Sequence, residues 1–254
     1  MTGLTLDNVC KRFGGVIAAE NVTMAAPPGA ITGLIGPNGA GKTTIINLIT
    51  GMAALTSGTI RFGARDITAA PAHAIARAGF ARTFQNIRLF KEAAVIDNVM
   101  IGFHRLERCS FAAALLALPA ARRETRDMRA RAGALLERFG MTRFAGHPAG
   151  SLAYGHQRRV EIMRALASSP AQLLLDEPVA GMNDVEAGAL GEIFQDLAAG
   201  GMGILLIEHN IRFVTRLCSH IYVLDSGRLI AQGGAAEVLN DPAVIAAYLG
   251  AEPC

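Results

Sequence analysis

Apolar and polar residues alternate near the start of the chain, which predicts β-structure there. TLDNVCKRF (5–13) and ENVTM (20–24) alternate like edge strands of a small antiparallel sheet. Later apolar runs are short and continuous, as is typical of strands buried in a parallel sheet. These runs are AITGLIG (30–36), AQLLLDEP (171–178) and GILLIEH (203–209). Helical spacing in VEAGALGEIFQDLAA (185–199) separates the last two, and this β-α-β pattern predicts an α/β core.

Three further elements complete the predicted core. KTTIINLIT (42–50) has helical spacing and stops before Gly51, a residue that commonly ends helices. GTIRF (58–62) predicts a return strand. HIYVLDSGRLIAQG (220–233) predicts a hairpin around Asp225–Gly227.

A stretch from about Val95 to Ala167 differs from the rest of the chain. It is rich in Ala, Arg, Leu and Glu, with helical periodicity and no β-branched runs. We expect a helical subdomain of about 95–167, inserted into a core of about 1–94 and 168–254, the whole forming a single domain. One amphipathic helix is predicted over Arg122–Gly140. Acidic residues balance its arginines, which favours a solvated face over a surface for anionic lipid or nucleic acid.

Composition and charge narrow the classes of function. The chain has 254 residues, of which 51% are hydrophobic and 18% charged, and this argues against disorder. A net charge of +3 gives no support to nucleic-acid binding. Cys10, Cys109, Cys218 and Cys254 are scattered without metal-ligand spacing. We therefore expect no zinc site, no disulfide framework and a reducing compartment.

The sequence shows no clear export or membrane segment. Its start, MTGLTLDNVCKRFGG, lacks the apolar core of a signal peptide. The longest apolar stretch, FAAALLAL (111–118), stops at Pro119 and is too short to span a bilayer. We expect a soluble chain whose membrane role would come through a partner.

A glycine-rich loop joins the strand 30–36 to the helix that follows. Its residues fit the pattern G-x-x-x-x-G-K-[ST] and are Gly36, Pro37, Asn38, Gly39, Ala40, Gly41, Lys42 and Thr43. Glycines let successive amides point into one concavity, and a helix start adds partial positive charge. We expect Lys42 to reach the β- and γ-phosphates, Thr43 to ligate Mg²⁺ and Thr44 to contact the α-phosphate. The flanking strand and helix favour this interpretation over a plain glycine-rich turn.

An acidic pair ends the predicted strand in LLLDEP (173–178). Asp176 would face the phosphate loop at the end of the strand and hold Mg²⁺ through water. Glu177 would act as a general base toward the attacking water, a role worth about 10²–10⁴-fold in rate. Two acids in a strand-end turn are weak evidence alone, but these follow a complete phosphate loop. The combination predicts nucleotide hydrolysis.

Together these motifs resemble the ABC-type ATPase family over nearly the whole chain. RTFQ ends in Gln85, which resembles the family's glutamine that senses Mg²⁺ and water and contacts the membrane subunits. SLAYGHQRRVEIMRAL (151–166) resembles the family signature. LLIEHN supplies His209, which resembles the switch histidine at the γ-phosphate. Phe13 aligns with the adenine-stacking aromatic residue, and an apolar sheet residue is the rival interpretation.

The resemblance implies a fold and an assembly. The fold is α/β, with a RecA-like P-loop core and mostly parallel sheet, an N-terminal antiparallel β-subdomain and an inserted α-helical subdomain. ATP and Mg²⁺ are the implied cofactors, and the signature of one subunit covers the ATP of another in a head-to-tail dimer. The covering residues are Leu152, Ala153, Tyr154, Gly155 and His156. Ala153, Tyr154 and Asn183 depart from the commonest serine, glycine and aspartate, and we expect backbone amides to suffice.

Several segments resemble more narrowly the ATP-binding subunit of branched-chain amino acid importers: LAYG, ARTFQNIRLF, LLIEHN and VIAAYLG. This implies a peripheral protein on the cytoplasmic face of the inner membrane. The implied partners are two transmembrane permease subunits, a second ABC ATPase (a sister protein or a second copy) and, indirectly, an extracytoplasmic solute-binding protein, with no nucleic acid. Arg88, Leu89 and Phe90 suit a socket for a permease helix, with core packing as the alternative for Leu89 and Phe90.

Two other functions compete with amino-acid import. The lipopolysaccharide-export ATPase is similar, but its signature is usually nearer LSGGERR and its switch segment usually lacks the Glu208 found here. Soluble ABC-type ATPases of DNA repair or translation usually carry two cassettes or a long coiled coil, and this chain has neither. Because an ABC ATPase does not touch the transported solute, its residues cannot encode the substrate.

Overall fold

The computed structural model describes residues 3–106, 116 and 118–249. Most of the apolar stretch 111–118, together with Cys109, Cys254 and the last residue of VIAAYLG, lies outside the described residues. The chain divides into two compact units. The first comprises Met1–Arg82, Ala171–Glu177 and Ala187–Cys254, and the second comprises Thr83–Pro170 and Pro178–Glu186.

Both sheets belong to the first unit. The strands are β1 Leu4–Phe13, β2 Val16–Ala26, β3 Ile31–Ile35, β4 Ser57–Phe62, β5 Arg65–Asp66, β6 Phe80–Arg82, β7 Gln172–Asp176, β8 Gly203–Ile207, β9 His220–Asp225 and β10 Arg228–Gly233. An antiparallel sheet has the order β2-β1-β4-β5, and a second sheet has the order β10-β9-β3-β8-β7-β6. All pairs of the second sheet are parallel except the β9–β10 hairpin.

The central strands of the parallel sheet are buried along their whole length. Every residue of β3, β7 and β8 is buried, which explains why these segments read as continuous apolar runs rather than alternating ones. The antiparallel strands alternate over part of their length, β1 over residues 4–7 and β2 over residues 22–26, and register shifts interrupt the pairing of β1 with β2. The helices of this unit are Lys42–Ile49, Ala72–Arg77, Ile211–Leu217, Ala235–Leu239 and Pro242–Leu249.

The second unit is helical over its described residues. It contains Val95–Ile101, Pro119–Arg138 and Tyr154–Ala167, with short 3₁₀ turns at His104–Leu106, Thr142–Phe144 and Ala149–Ser151. Helix Asp184–Ala199 begins in this unit and continues in the first. The arginine-rich helix starts at Pro119, before the predicted Arg122, because a proline needs no amide partner in the first turn. It ends at Arg138, close to Gly140, whose φ is +65°.

The predicted fold class is confirmed: a mostly parallel sheet, an antiparallel sheet near the start and a helical unit. The proposed boundaries near residues 94 and 168 stay a prediction. Among residues 3–106, 116 and 118–249, no helix is long and apolar enough to cross a bilayer. Cys10 and Cys218 are free thiols, and burial raises the pKa of Cys218 to about 12.

The central sheet predicts how strongly one side chain contributes to stability. Leu174 is fully buried in β7, so Leu174→Ala should lower the free energy of unfolding by about 2–5 kcal/mol through lost burial and a cavity. Val185, which is 82% exposed, gives the matched control, because Val185→Ala should change the free energy of unfolding by less than about 0.5 kcal/mol. Urea unfolding of both variants makes the comparison, and equal effects would contradict the burial of β7.

Candidate functional site

The register of the parallel sheet places three functional segments at one edge. Ile207 of β8 pairs with Leu34 of β3 on one side and with Asp176 of β7 on the other. Because parallel strands all end on the same side of a sheet, the residues that follow them emerge together. The phosphate loop, Glu177 and His209 are these residues. The sheet therefore brings the phosphate loop, Glu177 and His209 to one edge of the first unit.

The phosphate loop needs glycine for two different reasons. A Cβ on Gly36 would lie 1.9 Å from the Leu224 carbonyl oxygen, so no side chain fits there. Gly39 has φ +81° and open space around the position of its absent Cβ, so its backbone can approach a ligand closely. Gly41 precedes helix Lys42–Ile49, whose first turn has no side-chain cap and no acidic residue. Uncapped amides above an open concavity fit a phosphate group.

Lys42 lies within this loop and bends back onto it. Its Nζ donates to the carbonyl oxygens of Gly36, at 2.7 Å, and Pro37, at 2.8 Å. Burial lowers the pKa of Lys42, while the nearby negative charges of Glu177 and Asp176 act in the opposite direction. The ammonium group is therefore partly dehydrated and close to both acids, which suits it to bind phosphate oxygens.

The remaining loop residues surround this lysine. Asn38, Gly39 and Thr43 are exposed, Pro37 and Thr44 are partly buried, and Ala40 is buried. Thr43 and Thr44 belong to the first turn of helix Lys42–Ile49. Both residues thus belong to the uncapped turn at which the roles at Mg²⁺ and the α-phosphate were predicted. Those roles stay predictions.

The acidic pair has a distinctive backbone. Asp176 is buried, and Glu177 adopts φ +49°, a conformation that is uncommon for a residue with a side chain. The Glu177 amide donates to the Ile207 carbonyl oxygen at 2.9 Å, which holds this turn against β8. Nδ1 of His209 lies 3.8 Å from Oε1 of Glu177. The structure thus brings together the predicted general base and the predicted switch histidine.

Glu208 shapes the turn that carries His209. Its side chain is fully buried, and its Oε2 accepts hydrogen bonds from the amides of His209, at 3.2 Å, and Asn210, at 3.5 Å. Asn210 then caps helix Ile211–Leu217 by accepting from the Phe213 amide at 3.1 Å. The ring of His209 stays largely exposed. Glu208 is therefore a structural part of the switch turn.

Sequence reasoning missed Arg82, which contacts Asp176. Nη2 of Arg82 lies 3.4 Å from Oδ2 of Asp176, and both side chains are nearly buried. Its Nη1 donates to Oδ1 of Asn47 at 2.7 Å, which links β7 to the phosphate-loop helix. The sequence signal for this contact was the position of Arg82 at the end of an apolar strand, because a charge that is buried there requires a partner.

Phe13 occupies the end of β1. Its ring is 52% exposed, so a stacking face is accessible, and burial as a core residue of the sheet is excluded. Nζ of Lys11 lies 4.6 Å from the ring centroid, which makes a cation–π contact. Adenine stacking on this ring stays a prediction.

The signature segment belongs to the second unit. Helix Tyr154–Ala167 starts directly after Ala153, which provides no side-chain cap. The backbone amide of His156 donates to the Ala153 carbonyl oxygen at 2.9 Å, and Nε2 of Gln157 donates to the Leu152 carbonyl oxygen at 2.8 Å. Burial, followed by the positive charge of Arg159, lowers the pKa of His156. Among the residues predicted to cover the opposing subunit's ATP, His156 thus has its backbone amide paired inside the protein.

The departures from the common signature have local explanations. The Tyr154 ring packs close to Gly181. A Cβ added to Gly181 would lie 3.0 Å from Cδ1 of Tyr154. Asn183 exchanges two hydrogen bonds with Glu186: its Oδ1 accepts from the Glu186 amide at 2.9 Å, and its amide donates to Oε2 at 3.2 Å. This reciprocal capping starts helix Asp184–Ala199, and asparagine serves it as well as aspartate does.

Gln85 lies in the second unit, whereas Thr43 and Asp176 lie in the first, so a shared metal role stays a prediction. Its side chain is exposed, as are Arg88 and Phe90. Phe90 is 58% exposed, so core packing is wrong for this residue, while Leu89 is partly buried.

The described residues contain no cluster of three or more His, Cys, Asp or Glu side chains that could hold a metal alone. A magnesium ion bound by one carboxylate, one hydroxyl, water and nucleotide phosphates needs no such cluster. Asp176 and Thr43 supply oxygen donors beside the phosphate loop, which is the donor chemistry that Mg²⁺ prefers. The residues present therefore fit the ion.

Fold and site define a phosphate-loop nucleotide-binding protein with a helical signature unit. A family model described as ABC transporter matches residues 19–180, and one described as branched-chain amino acid ATP-binding cassette transporter matches 228–253. The chain belongs to the ABC transporter family, and its resemblance to the branched-chain amino acid subfamily is confirmed.

Individual relatives agree with this assignment. The chain is 41% identical over 248 residues to the high-affinity branched-chain amino acid transport ATP-binding protein BraF of Pseudomonas aeruginosa, covering 97% of each. It is 36% identical over 250 residues to the lipopolysaccharide export system ATP-binding protein LptB of Escherichia coli, covering 98% of each. The crystal structure of the ADP conformation of MJ1267, an ATP-binding cassette of an ABC transporter, matches with a TM-score of 0.85 and 34% identity, covering 98% of this chain and 99% of that one.

The contacts of Lys42 predict its contribution to nucleotide affinity. Lys42→Ala should weaken ATP binding about 10- to 100-fold, because a charge-assisted hydrogen bond contributes about 1.5–3 kcal/mol. Lys91→Ala removes the same charge at an exposed position of the second unit and should leave affinity unchanged. Titration with a fluorescent ATP analogue measures both, and an unaffected Lys42→Ala chain would contradict phosphate binding by this loop.

Proposed function

We propose that this protein binds and hydrolyses ATP as the cytoplasmic subunit of an ABC importer for branched-chain amino acids or close relatives. One observation carries the proposal: β3, β7 and β8 bring the phosphate loop, the acidic pair and His209 to one sheet edge. The match of residues 228–253 to the branched-chain amino acid cassette model, and the similarity to BraF, support the choice of solute class.

The residues divide the hydrolysis step among them. Lys42 and the loop amides bind the phosphates, while Thr43 and Asp176 would hold Mg²⁺, which supplies positive charge to phosphate oxygens when bound. Glu177 accepts a proton from the attacking water. His209, with its ring 3.8 Å from the Glu177 carboxylate, orients this group and contacts the γ-phosphate.

A second ATPase completes the site in this proposal. The residues Leu152–His156 of an opposing subunit, a second copy or a sister protein, cover the γ-phosphate from the other side. The start of helix Tyr154–Ala167 supports this role, because its N-cap residue Ala153 provides no side-chain cap for the first amides. ATP then holds two subunits together, and hydrolysis releases them.

Transport requires partners that carry the solute. Two transmembrane permeases would dock on the segment that follows Gln85, where Arg88 and Phe90 are exposed. A solute-binding protein outside the membrane would deliver the amino acid. The ATPase itself would lie peripherally on the cytoplasmic face of the inner membrane.

Lipopolysaccharide export is the second candidate, favoured by 36% identity to LptB over 98% of both chains. The higher identity to BraF and the match of residues 228–253 weigh toward import. A soluble non-transport ATPase is the third candidate. Binding of the purified protein to permease-containing membranes would favour transport, whereas binding to DNA or ribosomes would favour this third candidate.

The proposed chemistry predicts the behaviour of Glu177→Gln. This variant should retain ATP binding and lose about 10²–10⁴-fold in turnover, because glutamine keeps the size of the side chain but cannot accept the proton. Light scattering should then detect an ATP-dependent dimer, with a second copy or with a co-expressed sister ATPase.

Glu192→Gln, which makes the same substitution at an exposed position of helix Asp184–Ala199, provides the control and should hydrolyse ATP normally. A Glu177→Gln chain that turns over at the rate of this control would remove Glu177 from the role of general base.

A further inference from the structure

A fully buried ion pair occupies the signature helix Tyr154–Ala167. Nη1 of Arg158 lies 2.7 Å from Oε2 of Glu161, and the two side chains are 0% and 2% exposed. A charged pair that is removed from water costs desolvation energy, and apolar residues of similar volume are often equally stabilising there. This pair therefore calls for an explanation other than stability.

The pair binds the backbone of Phe84 and Gln85, which begin the segment 84–90 that the proposed function assigns to permease docking. Arg158 donates to the carbonyl oxygens of two consecutive residues, from Nη1 to Phe84 and from Nη2 to Gln85, the latter at 3.2 Å. Oε1 of Glu161 accepts from the Phe84 amide at 3.3 Å. Two charged side chains of one helix thus bind the amide of Phe84 and the carbonyl groups of Phe84 and Gln85.

The far end of this segment is held in a similar way. Asn98, which is fully buried, accepts from the Phe90 amide at 2.9 Å and donates to the Phe90 carbonyl oxygen at 3.0 Å. Between the two anchors, the guanidinium of Arg88 lies 4.8 Å from the ring centroid of Phe84. Residues 84–90 are therefore fastened at both ends within the second unit and expose Gln85, Arg88 and Phe90 between them.

We propose that Arg158 and Glu161 are positioning residues that make the Gln85 segment and the signature helix move as one body. The inference rests on the proposed function, in which the start of this helix binds the opposing subunit's ATP. When Tyr154–His156 contact that nucleotide, the buried pair carries the displacement to Phe84 and Gln85, and hence to the surface that a permease would touch. Backbone hydrogen bonds make this coupling independent of the Gln85 side chain.

Amide hydrogen exchange tests the coupling in the Glu177→Gln background, in the ATP-bound assembly that this chain forms. Arg158→Met combined with Glu161→Leu replaces the pair by apolar residues of similar size, which buried sites tolerate. Exchange of the Phe84 amide should become about tenfold faster, because it loses its acceptor. ATP should still protect residues 152–157, whereas its effect on 84–87 should disappear.

A matched control uses the exposed pair Arg129–Asp97, at 3.8 Å, whose side chains are 60% and 52% exposed. In the chain with Arg129→Met and Asp97→Leu, ATP should still protect both segments, residues 152–157 and residues 84–87, as it does in the Glu177→Gln parent. Glu161→Gln alone keeps an oxygen acceptor for the Phe84 amide and should give intermediate exchange, which keeps the test informative if the double variant folds poorly.

The outcomes separate the inference from the function beneath it. If ATP still protects both segments together in the Arg158→Met/Glu161→Leu chain, the coupling role is wrong while the ATP-driven dimer stands. If ATP protects neither segment in the Glu177→Gln parent, the proposed dimer closure itself fails, and the inference falls with it.

Discussion

The hydrogen-bonded register of β3, β8 and β7 is the constraint on which the site depends. Leu34, Ile207 and Asp176 lie in one row across the sheet, so the loops after the three strands start at the same level. A slip of one residue would turn Asp176 to the opposite face and separate it from the phosphate loop. Burial on both faces prevents such a slip, because every residue of the three strands is enclosed. The apolar runs of the sequence thus contribute to the geometry of the candidate site as well as to stability.

The charges of Lys42 and Asp176 at this edge have partners within the protein. The Lys42 ammonium donates to two loop carbonyls, and the Asp176 carboxylate is paired with Arg82. Phosphate oxygens offer Lys42 a stronger, charged acceptor than a neutral carbonyl, so exchange of partners favours the ligand. The positive φ of Glu177 fits the same logic, since such backbone conformations persist where the surroundings enforce them, and here the Ile207 carbonyl does so.

The sequence was most informative where a motif joins two elements of known type. Loop 36–43 was predictable because its glycines stand between an apolar strand and a helix, and the strand-end positions of Asp176 and His209 then followed from the α/β pattern. Arg82 and Arg158 were missed for a common reason. Periodicity distinguishes the buried face of an element from its exposed face, but it does not show which charged residue forms a buried ion pair. In a chain with many arginines, composition does not single out one of them either. The start at Pro119 was missed because the arginine pattern begins three residues later.

The departures in the signature gain meaning from these buried contacts. Ala153 has no hydroxyl where the commonest signature has a serine, so in the proposed dimer the contact with the opposing ATP would rely more on backbone amides. Amides can bind well only if the helix that presents them is rigidly oriented. The Arg158–Glu161 pair fixes that helix to the backbone of Phe84 and Gln85, and Asn183 fixes the next helix by capping it. A buried ion pair and an exposed asparagine cap thus hold the backbone beside the residues that depart from the common signature, and the buried pair exchanges some stability for defined geometry.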